Sequence, residues 1–239
     1  MAKHYAIADI HGMYNIYEQV CEILEPGDVV YFLGDAGDRG PDGFKCIEAI
    51  YNNPQWIYLK GNHEDLMVNA LREKYQSDDP YAYKEYQLWR WNGGHNTELG
   101  WKENGEDLSW IEKLDNLPTY VTYINPDGVI FHLTHAGYTC GKPIDDDSLL
   151  WDRKHFYDKW NEKKYPYDIC IHGHTPLFYL RQQLDDYEGH VEGVPEAKVY
   201  CNGHKICIDN GVFMTKSTVL YDLDEMTTIP LFDNTNWEF

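Results

Sequence analysis

The sequence Gly34-Asp35-Ala36-Gly37-Asp38-Arg39-Gly40 places two carboxylates and a guanidinium in one short turn. It follows the apolar run 29–33 and precedes Pro41, a pattern that predicts a buried strand, a turn and then a helix. In an open α/β sheet, such a turn lies at the carboxyl end of its strand, where ligands bind. The clustered charges are costly unless a metal ion compensates the carboxylates and an anion compensates the arginine. The turn therefore suggests a phosphate bound over metal, with a solvated polar turn as the alternative.

Two further strands end in polar residues in the same way. The apolar run that begins at Tyr5 ends in Asp9-Ile10-His11, and side chains two apart in an extended chain share a side and can bind one ion. The run 55–59 ends in Gly61-Asn62-His63-Glu64. Apolar residues at helical spacing separate the three runs, which predicts a β-α-β-α-β start with its candidate ligands at one sheet edge.

Together, the three motifs resemble the signature of the calcineurin-like metallophosphoesterases. The Gly-Asp-x-x-Asp-Arg-Gly form further resembles the phosphoprotein phosphatase branch, which includes bacterial and phage λ-type Ser/Thr phosphatases and symmetrical diadenosine tetraphosphate hydrolases. This resemblance implies an α/β fold in which two mixed β-sheets form a sandwich flanked by helices.

The rest of the chain suggests how this fold is elaborated. No linker or repeat divides it, so we expect one domain over residues 1–239. Residues 65–120, rich in helix formers and aromatic side chains, predict a helical insertion, and the polar residues 181–204 predict a hairpin or flap. By the same resemblance, strands at 205–209 and 217–221 are expected to complete the second sheet, with residues 227–239 peripheral.

The resemblance implies a centre of two divalent metal ions. The first ion is assigned to Asp9, His11 and Asp35, and the second to Asp35, Asn62, His135 and His174. Asp35 therefore bridges the two ions. Carboxylate and amide oxygens combined with imidazole nitrogens favour Mn²⁺, with Fe or Zn²⁺ as alternatives, over Ca²⁺. We interpret His132 and His172, which lie close to these ligands in sequence, as structural residues.

The same resemblance assigns the chemical roles. His63 is the general acid that protonates the leaving group, and Asp38 orients it. Arg39 and Arg153, together with Asn62, bind the substrate phosphate. The nucleophile is a hydroxide held between the two metal ions, so no covalent phosphoenzyme is required.

A further element resembles bacterial members of the family. Trp89-Arg90-Trp91-Asn92-Gly93-Gly94-His95-Asn96-Thr97 has the form Trp-x-x-Asn-Gly-Gly-x-x-Thr. Gly93 and Gly94 permit a tight backbone turn, and the tryptophans either wall the cleft or simply pack in the insertion. Packing is the favoured interpretation, and a substrate contact by His95 is a minor alternative.

Composition excludes several classes of partner. The 40 acidic residues against 20 Lys plus Arg give a net charge of −20, which disfavours nucleic acid and anionic membranes as partners. No apolar run approaches a signal peptide or a membrane span, so we expect a cytoplasmic protein. The six cysteines lack C-x-x-C spacing and are interpreted as buried free thiols. The oligomeric state is left open.

These patterns lead to a ranked set of functions. The first is a metal-dependent phosphomonoesterase acting on phosphoserine and phosphothreonine, whose partner is a phosphorylated protein or a small phosphoester. The second is hydrolysis of dinucleoside polyphosphates, because the motifs serve the phosphate and barely contact what it is attached to. A non-catalytic scaffold is the third, and it is disfavoured because every expected ligand position is filled.

Overall fold

Two five-stranded sheets organise the chain. The computed structural model describes residues 2–79, 81–142, 145–184 and 193–237. The strands are β1 (His4–Ile7), β2 (Val29–Phe32), β3 (Trp56–Tyr58), β4 (Tyr120–Ile124), β5 (Ile130–Thr134), β6 (Asp168–His172), β7 (Lys198–Tyr200), β8 (Lys205–Cys207), β9 (Ser217–Asp222) and β10 (Thr227–Phe232). The predicted sandwich of two mixed sheets flanked by helices is confirmed.

Helices connect and cover the strands. They are α1 (Tyr14–Ile23), α2 (Gly43–Asn52), α3 (Asn62–Gln76), α4 (Lys84–Trp89), α5 (His95–Glu103), α6 (Ser109–Asp115), α7 (Asp146–Trp151), α8 (Leu177–Leu184) and α9 (Val212–Thr215). A kinked segment, Arg90–Gly94, in which Gly93 has a φ of 102°, joins α4 to α5, and a 3₁₀ turn, Lys154–Tyr157, follows α7. None of the helices in the described ranges is long and apolar enough to cross a membrane.

The strand order sets where the site forms. The first sheet runs β10-β9-β1-β2-β3, with β1, β2 and β3 parallel, as the alternating strand and helix pattern predicts. The second sheet runs β4-β5-β6-β8-β7, and its central strands β5, β6 and β8 are also parallel. The carboxyl ends of these parallel strands carry the polar motifs.

Two apolar layers hold the molecule together. Between the sheets, side chains such as Leu33, Phe131 and Ile171 are fully buried in one continuous cluster. On the other side of the first sheet, a larger cluster joins helices α1, α2 and α3 to the insertion through Trp101 and its neighbours. The strands therefore have little freedom, so the turns at their ends are held in place on both sides.

The end of the chain differs from the expectation. Strand β9 does not join the second sheet: it pairs antiparallel with β1 in the first, through Tyr5 opposite Asp222 and Ala6 opposite Tyr221. Residues 227–232 are not peripheral, because they form β10 along the whole of β9. The region 181–204 begins inside α8 and includes β7, which forms a hairpin with β8; its residues 185–192 lie outside the described residues.

The insertion is held together by one buried carboxylate. Glu98 on α5 accepts hydrogen bonds from Lys74 of α3, Tyr86 of α4 and Lys102 of α5, at 2.7–2.9 Å. Burial alone would raise the pKa of Glu98, but these partners outweigh it and lower the pKa to about 2. The single charge of Glu98 therefore holds helices α3, α4 and α5 together.

Replacing Glu98 with glutamine is expected to lower the free energy of unfolding by about 1–3 kcal/mol at neutral pH, after allowance for solvent screening of the exposed partners. Since the folded-state pKa is depressed, this contribution is present above the unfolded pKa near 4.5 and is lost as the pH falls towards 2. Urea unfolding of the unmodified protein and of Glu98→Gln, from neutral pH down to about pH 2, measures this difference in the free energy of unfolding. Glu103→Gln, exposed on the same helix, is the matched control; a pH-independent difference would contradict the assignment.

Candidate active site

The polar motifs converge where the two sheets meet. The side chains that come together, all buried, are Asp9 and His11 after β1, Asp35 and Asp38 after β2, Asn62 and His63 at the start of α3, His135 after β5 and His174 after β6. Parallel strands deliver each of them from a carboxyl end. The structure thus brings together every residue that the sequence analysis assigns to the metal ions and to proton transfer, while their roles stay predictions.

Asp35 lies at the centre of this group. Its Oδ2 is 3.7 Å from His11 Nε2 and 3.5 Å from His135 Nε2. Ligand atoms of Asp9, Asp35 and His135 all lie within 4.8 Å of one another. The separations exceed hydrogen-bond length and suit atoms that share a cation instead of a proton. Asp35 is placed to be shared by two ions.

Asn62 faces two imidazoles in an arrangement that suits a cation. Its Oδ1 is 2.8 Å from His135 Nε2 and 2.9 Å from His174 Nδ1. His135 Nδ1 donates to the Leu33 carbonyl, and burial lowers the pKa of His135, so the neutral ring carries no proton at Nε2. Two lone pairs therefore face each other across 2.8 Å. A divalent ion bound between them would relieve this contact, and the residues fit the implied metal.

The remaining imidazoles are also in the form that binds metal. Burial lowers the pKa values of His11 and His174 well below the usual value, which keeps both rings neutral. His11 Nδ1 donates to the Gly37 carbonyl, which turns Nε2 towards the centre. His174 Nε2 is buried and has no hydrogen-bond partner among the described residues. A buried polar nitrogen without a partner is unusual and is a further sign that these side chains are arranged for a ligand.

The turns that carry these groups are strained. Five of the converging residues and the neighbouring Arg39 have left-handed backbone conformations, with φ between 43° and 65°; the five are Asp9, His11, Asp35, Asp38 and His174. Each costs about 1–3 kcal/mol in a residue other than glycine. Glycines allow the close approach that this requires: a Cβ on Gly173 would lie 1.9 Å from Asp9 Oδ2. Strain of this kind is typical of functional sites.

His63 and Asp38 form a buried pair beside the metal ligands. His63 Nδ1 donates to Asp38 Oδ2 at 2.7 Å, and the His63 backbone N–H donates to Asp35 Oδ1 at 2.9 Å. Burial lowers the pKa of His63, but Asp35 and Asp38 outweigh it and raise the pKa overall. The Arg39 guanidinium spans the site, donating to Nε2 of both His11 and His63 at 2.7 and 3.0 Å.

The Trp-Asn-Gly-Gly element supports this pair directly, which sequence reasoning missed. Trp89 is fully buried, and its indole Nε1–H lies 3.0 Å from both Asp38 oxygens. Thr97 Oγ1 accepts from the Asp38 backbone N–H at 2.7 Å, and the Gly93 carbonyl accepts from the Arg39 N–H at 2.9 Å. The element therefore positions the Asp38–Arg39 turn. The sequence shows the motif that contains Trp89, but it does not show that Trp89 contacts Asp38, which lies 51 residues away along the chain.

Replacing Trp89 with phenylalanine is expected to lower the free energy of unfolding by about 1.5–3 kcal/mol, the usual contribution of a hydrogen bond to a charged group. It should also lower kcat about tenfold for substrates with poor leaving groups while KM changes little, because His63 loses alignment rather than substrate contact. Steady-state kinetics and urea unfolding measure the two effects. Trp91→Phe, at an 85% exposed position in the same element, should change neither.

Glu64 is a second residue that the sequence analysis left without a role. Its carboxylate accepts hydrogen bonds from the backbone N–H groups of Asp35, Ala36 and Gly61 and from the Tyr58 hydroxyl, all at 2.7–2.9 Å. It joins the turn after β2 to the start of α3, and so fixes Asp35 relative to Asn62. Burial raises the pKa of Glu64 to about 7. Its position directly after His63 was the signal available in the sequence.

The other candidates take different positions. Arg153 follows α7, and its Nε donates to Thr175 Oγ1 at 3.1 Å, next to His174. His172 is fully buried and hydrogen-bonded to the Tyr200 hydroxyl and the Gly173 carbonyl, in agreement with a structural role. His95 is exposed and contacts Arg90 at 2.8 Å, within the insertion.

Comparison with known proteins agrees with this geometry. The family model described as calcineurin-like phosphoesterase matches residues 3–208. Serine/threonine-protein phosphatase 2 of Salmonella typhimurium is 24% identical over 191 residues, covering 73% of this chain and 80% of that protein. The symmetrical bis(5'-nucleosyl)-tetraphosphatase of Wigglesworthia glossinidia brevipalpis is 33% identical over 83 residues, which are 32% of this chain but only 30% of that protein.

A solved structure shows the same fold. A protein described as a proposed diadenosine tetraphosphatase superposes with a TM-score of 0.63 at 13% identity, covering 99% of this chain and 95% of that one. At this identity the match establishes the architecture and leaves the substrate undecided.

Proposed function

The chain belongs to the calcineurin-like phosphoesterase family, and from this premise we propose that it is a metal-dependent phosphomonoesterase that hydrolyses phosphoserine and phosphothreonine. The observation that carries the proposal is the buried His63–Asp38 pair set directly beside the Asp35-centred ligand group. An acid in this position serves an alkoxide leaving group such as serine or threonine, which is a poor leaving group without a proton. The Salmonella relative, named a serine/threonine-protein phosphatase, supports the same substrate class.

Different residues of the chain would bind the metal ions and the substrate phosphate. Two divalent ions, with Mn²⁺ favoured and Fe or Zn²⁺ as alternatives, would be held by Asp9, His11, Asp35, Asn62, His135 and His174. When bound, they supply the Lewis acidity that makes a water nucleophilic near neutral pH. Arg39 and Arg153 would hold the phosphate by charged hydrogen bonds, together with the Asn62 amide.

Proton delivery depends on His63. Asp38 accepts from Nδ1, which fixes the ring and favours its charged form, and leaves Nε2 to give its proton to the departing oxygen. In the structure, Arg39 donates to this same Nε2 at 3.0 Å. Because Nε2 accepts from Arg39 in this arrangement, it carries no proton there; a phosphate that draws the guanidinium towards itself would free Nε2 to take up a proton from solvent, which His63 could then give to the leaving group.

A second candidate function is hydrolysis of dinucleoside polyphosphates. The named tetraphosphatase from Wigglesworthia matches this chain at 33% identity, higher than the Salmonella phosphatase, although over less than a third of its own length. Apart from the His63–Asp38 pair, the described site residues would contact only the phosphate and the metal ions, and so they do not distinguish these two substrates.

A direct comparison of substrates tests the proposal. The protein, loaded with Mn²⁺, is assayed on a phosphoserine peptide, on diadenosine tetraphosphate and on p-nitrophenyl phosphate. We expect kcat/KM for the phosphopeptide to exceed that for the tetraphosphate by at least about tenfold, a difference of roughly 1.4 kcal/mol in transition-state stabilisation. The reverse order would favour the second candidate. Cleavage of none of the three would contradict both and favour the scaffold.

A further inference from the structure

A second group of metal-binding side chains lies on the outer face of the second sheet. His132 is on β5, Asp168 begins β6, and Cys140 is in the segment that follows β5. Since neighbouring strand residues alternate between faces, Phe131 and Leu133 pack between the sheets while His132 points outwards. The cluster is therefore separated from the catalytic centre by the thickness of the sheet, and nothing in the proposed reaction uses it.

The three donor atoms already have nearly the spacing of a zinc site. His132 Nε2 is 2.8 Å from Asp168 Oδ1 and 3.2 Å from Cys140 Sγ, and Sγ is 3.9 Å from Oδ1. Tetrahedral zinc with ordinary bond lengths would separate these pairs by about 3.4–3.6 Å. Each observed distance is within about 0.6 Å of that value. Small rotations of the side chains would complete the geometry.

The surroundings of the cluster also suit a cation. Within the described ranges no lysine or arginine forms an ion pair with Asp168, so its half-buried carboxylate has only His132 as a potentially charged partner. The Tyr120 hydroxyl contacts His132 Nδ1 and orients the ring with Nε2 towards Asp168 and Cys140. The Asp168 side chain is 13% exposed, which leaves a path from solvent.

We propose that His132, Cys140 and Asp168 form a structural zinc site, independent of the catalytic metal ions. Sulfur and imidazole ligands with one carboxylate select Zn²⁺ over Mg²⁺, Ca²⁺ or Mn²⁺. Cys170 stands opposite His132 in the strand register, two residues beyond Asp168 on the same face, and packs with Cys140. Cys170 is not among the donors that lie within 4.8 Å of one another, so either a water molecule or, after a side-chain movement, Cys170 would fill the fourth position.

The site would stabilise the segment that carries a catalytic ligand. His135 lies between His132 and Cys140 in sequence, so an ion held by both residues and by β6 would close a short loop around His135. Burial, and then Asp168, raise the pKa of Cys140 to about 12, so the thiol is protonated in the free protein. Zinc must displace this proton, and the affinity should therefore rise with pH.

Cobalt binding tests the proposal, because Co²⁺ bound to a thiolate gives a strong near-ultraviolet charge-transfer band that oxygen and nitrogen ligands do not give. The reduced full-length protein is titrated with CoCl₂. We expect the band in the unmodified protein and in Cys21→Ser, which is the control at a remote cysteine. The variant Cys140→Ser should show no band and should bind one equivalent of metal fewer. A titration in which the unmodified protein shows no such band would overturn the site.

The variant Asp168→Asn is a second test, which is needed because a folding defect in Cys140→Ser would also remove the band. It keeps the thiolate and nearly the same shape, so circular dichroism should be unchanged and the band should persist. The affinity for Zn²⁺, measured by competition with a chelator, should fall by at least about 100-fold, because Asp168 is a direct ligand and groups that only support ligands already contribute about 10–100-fold. Unchanged zinc affinity would contradict the role of Asp168. Neither readout depends on catalysis, so failure here would leave the proposed phosphatase activity untouched.

Discussion

Replacing His63 with asparagine is expected to lower kcat by about 10²–10⁴ for substrates with alkoxide leaving groups, while the protein keeps its metal ions. The physical reason is that His63 is not among the residues assigned to the metal ions, although its donor atom lies within 4.8 Å of those of His11 and Asp35, and that its Nδ1 donates to Asp38 at 2.7 Å. Asparagine keeps the polar character and the backbone N–H that donates to Asp35 Oδ1. It removes only the group that transfers a proton.

A series of phosphate esters with graded leaving groups measures this effect. The loss should be largest for alkyl phosphates and small for p-nitrophenyl phosphate, because a good leaving group departs without a proton. Metal content is determined on the same samples, and His95→Asn, at an exposed position, is the control. An equal loss for all leaving groups, or a parallel loss of metal, would show that His63 acts as a ligand or as a structural residue.

Replacing Asp35 with asparagine is expected to weaken metal binding by more than about 100-fold and to remove activity with every leaving group. Groups that merely support ligands contribute 10–100-fold, and Asp35 is placed between both halves of the centre. The neutral amide can still accept from the His63 N–H through Oδ1, so the fold of the turn should persist. The change therefore removes the bridging charge and little else.

Isothermal titration with Mn²⁺, with near-ultraviolet circular dichroism as a check on folding, measures the effect of this variant. Asp42→Asn, in the same loop but only half-buried and outside the ligand group, is the matched control and should bind Mn²⁺ normally. Retention of both metal ions in the Asp35 variant would contradict its bridging position.

Much of the site could be predicted because its residues follow local rules. Asp9, Asp35 and Asn62 each come directly after a strand, and in parallel strands the carboxyl ends share one edge of the sheet. His135 and His174 follow β5 and β6 in the same way, although these strands belong to the other sheet. Strand ends alone predicted that the first three lie near one another, whereas the prediction that His135 and His174 join them depended on the family resemblance.

Other parts depend on contacts between distant segments, which no local pattern encodes. The hydrogen bonds from Trp89 to Asp38 join residues 51 positions apart, and an indole buried for packing looks the same in sequence as one that holds a carboxylate. The four hydrogen bonds that Glu64 accepts could not be predicted from the sequence for the same reason. Trp89 and Glu64 are both parts of sequence motifs, but the residues that they contact can be identified only from the folded structure.

The closing strands show a related limit. All six positions of β9 are buried, which agrees with the predicted strand, but the residue types of β9 do not indicate which sheet it joins. Its pairing with β1 is decided by a long-range choice of neighbour, and β10 then adds to the edge that β9 creates. Strand existence follows from composition, whereas strand partners follow from the packing of the whole chain.

The central claim is that two cations share the Asp35 carboxylate at the junction of the sheets. Crystals soaked in MnCl₂, with anomalous difference maps recorded at the manganese edge, test it most directly. The account predicts two peaks roughly 3.5–4 Å apart, both within bonding distance of Asp35, one beside His11 and the other beside His135 and His174. A map with no peak at Asp35, or with manganese bound only elsewhere, would contradict it.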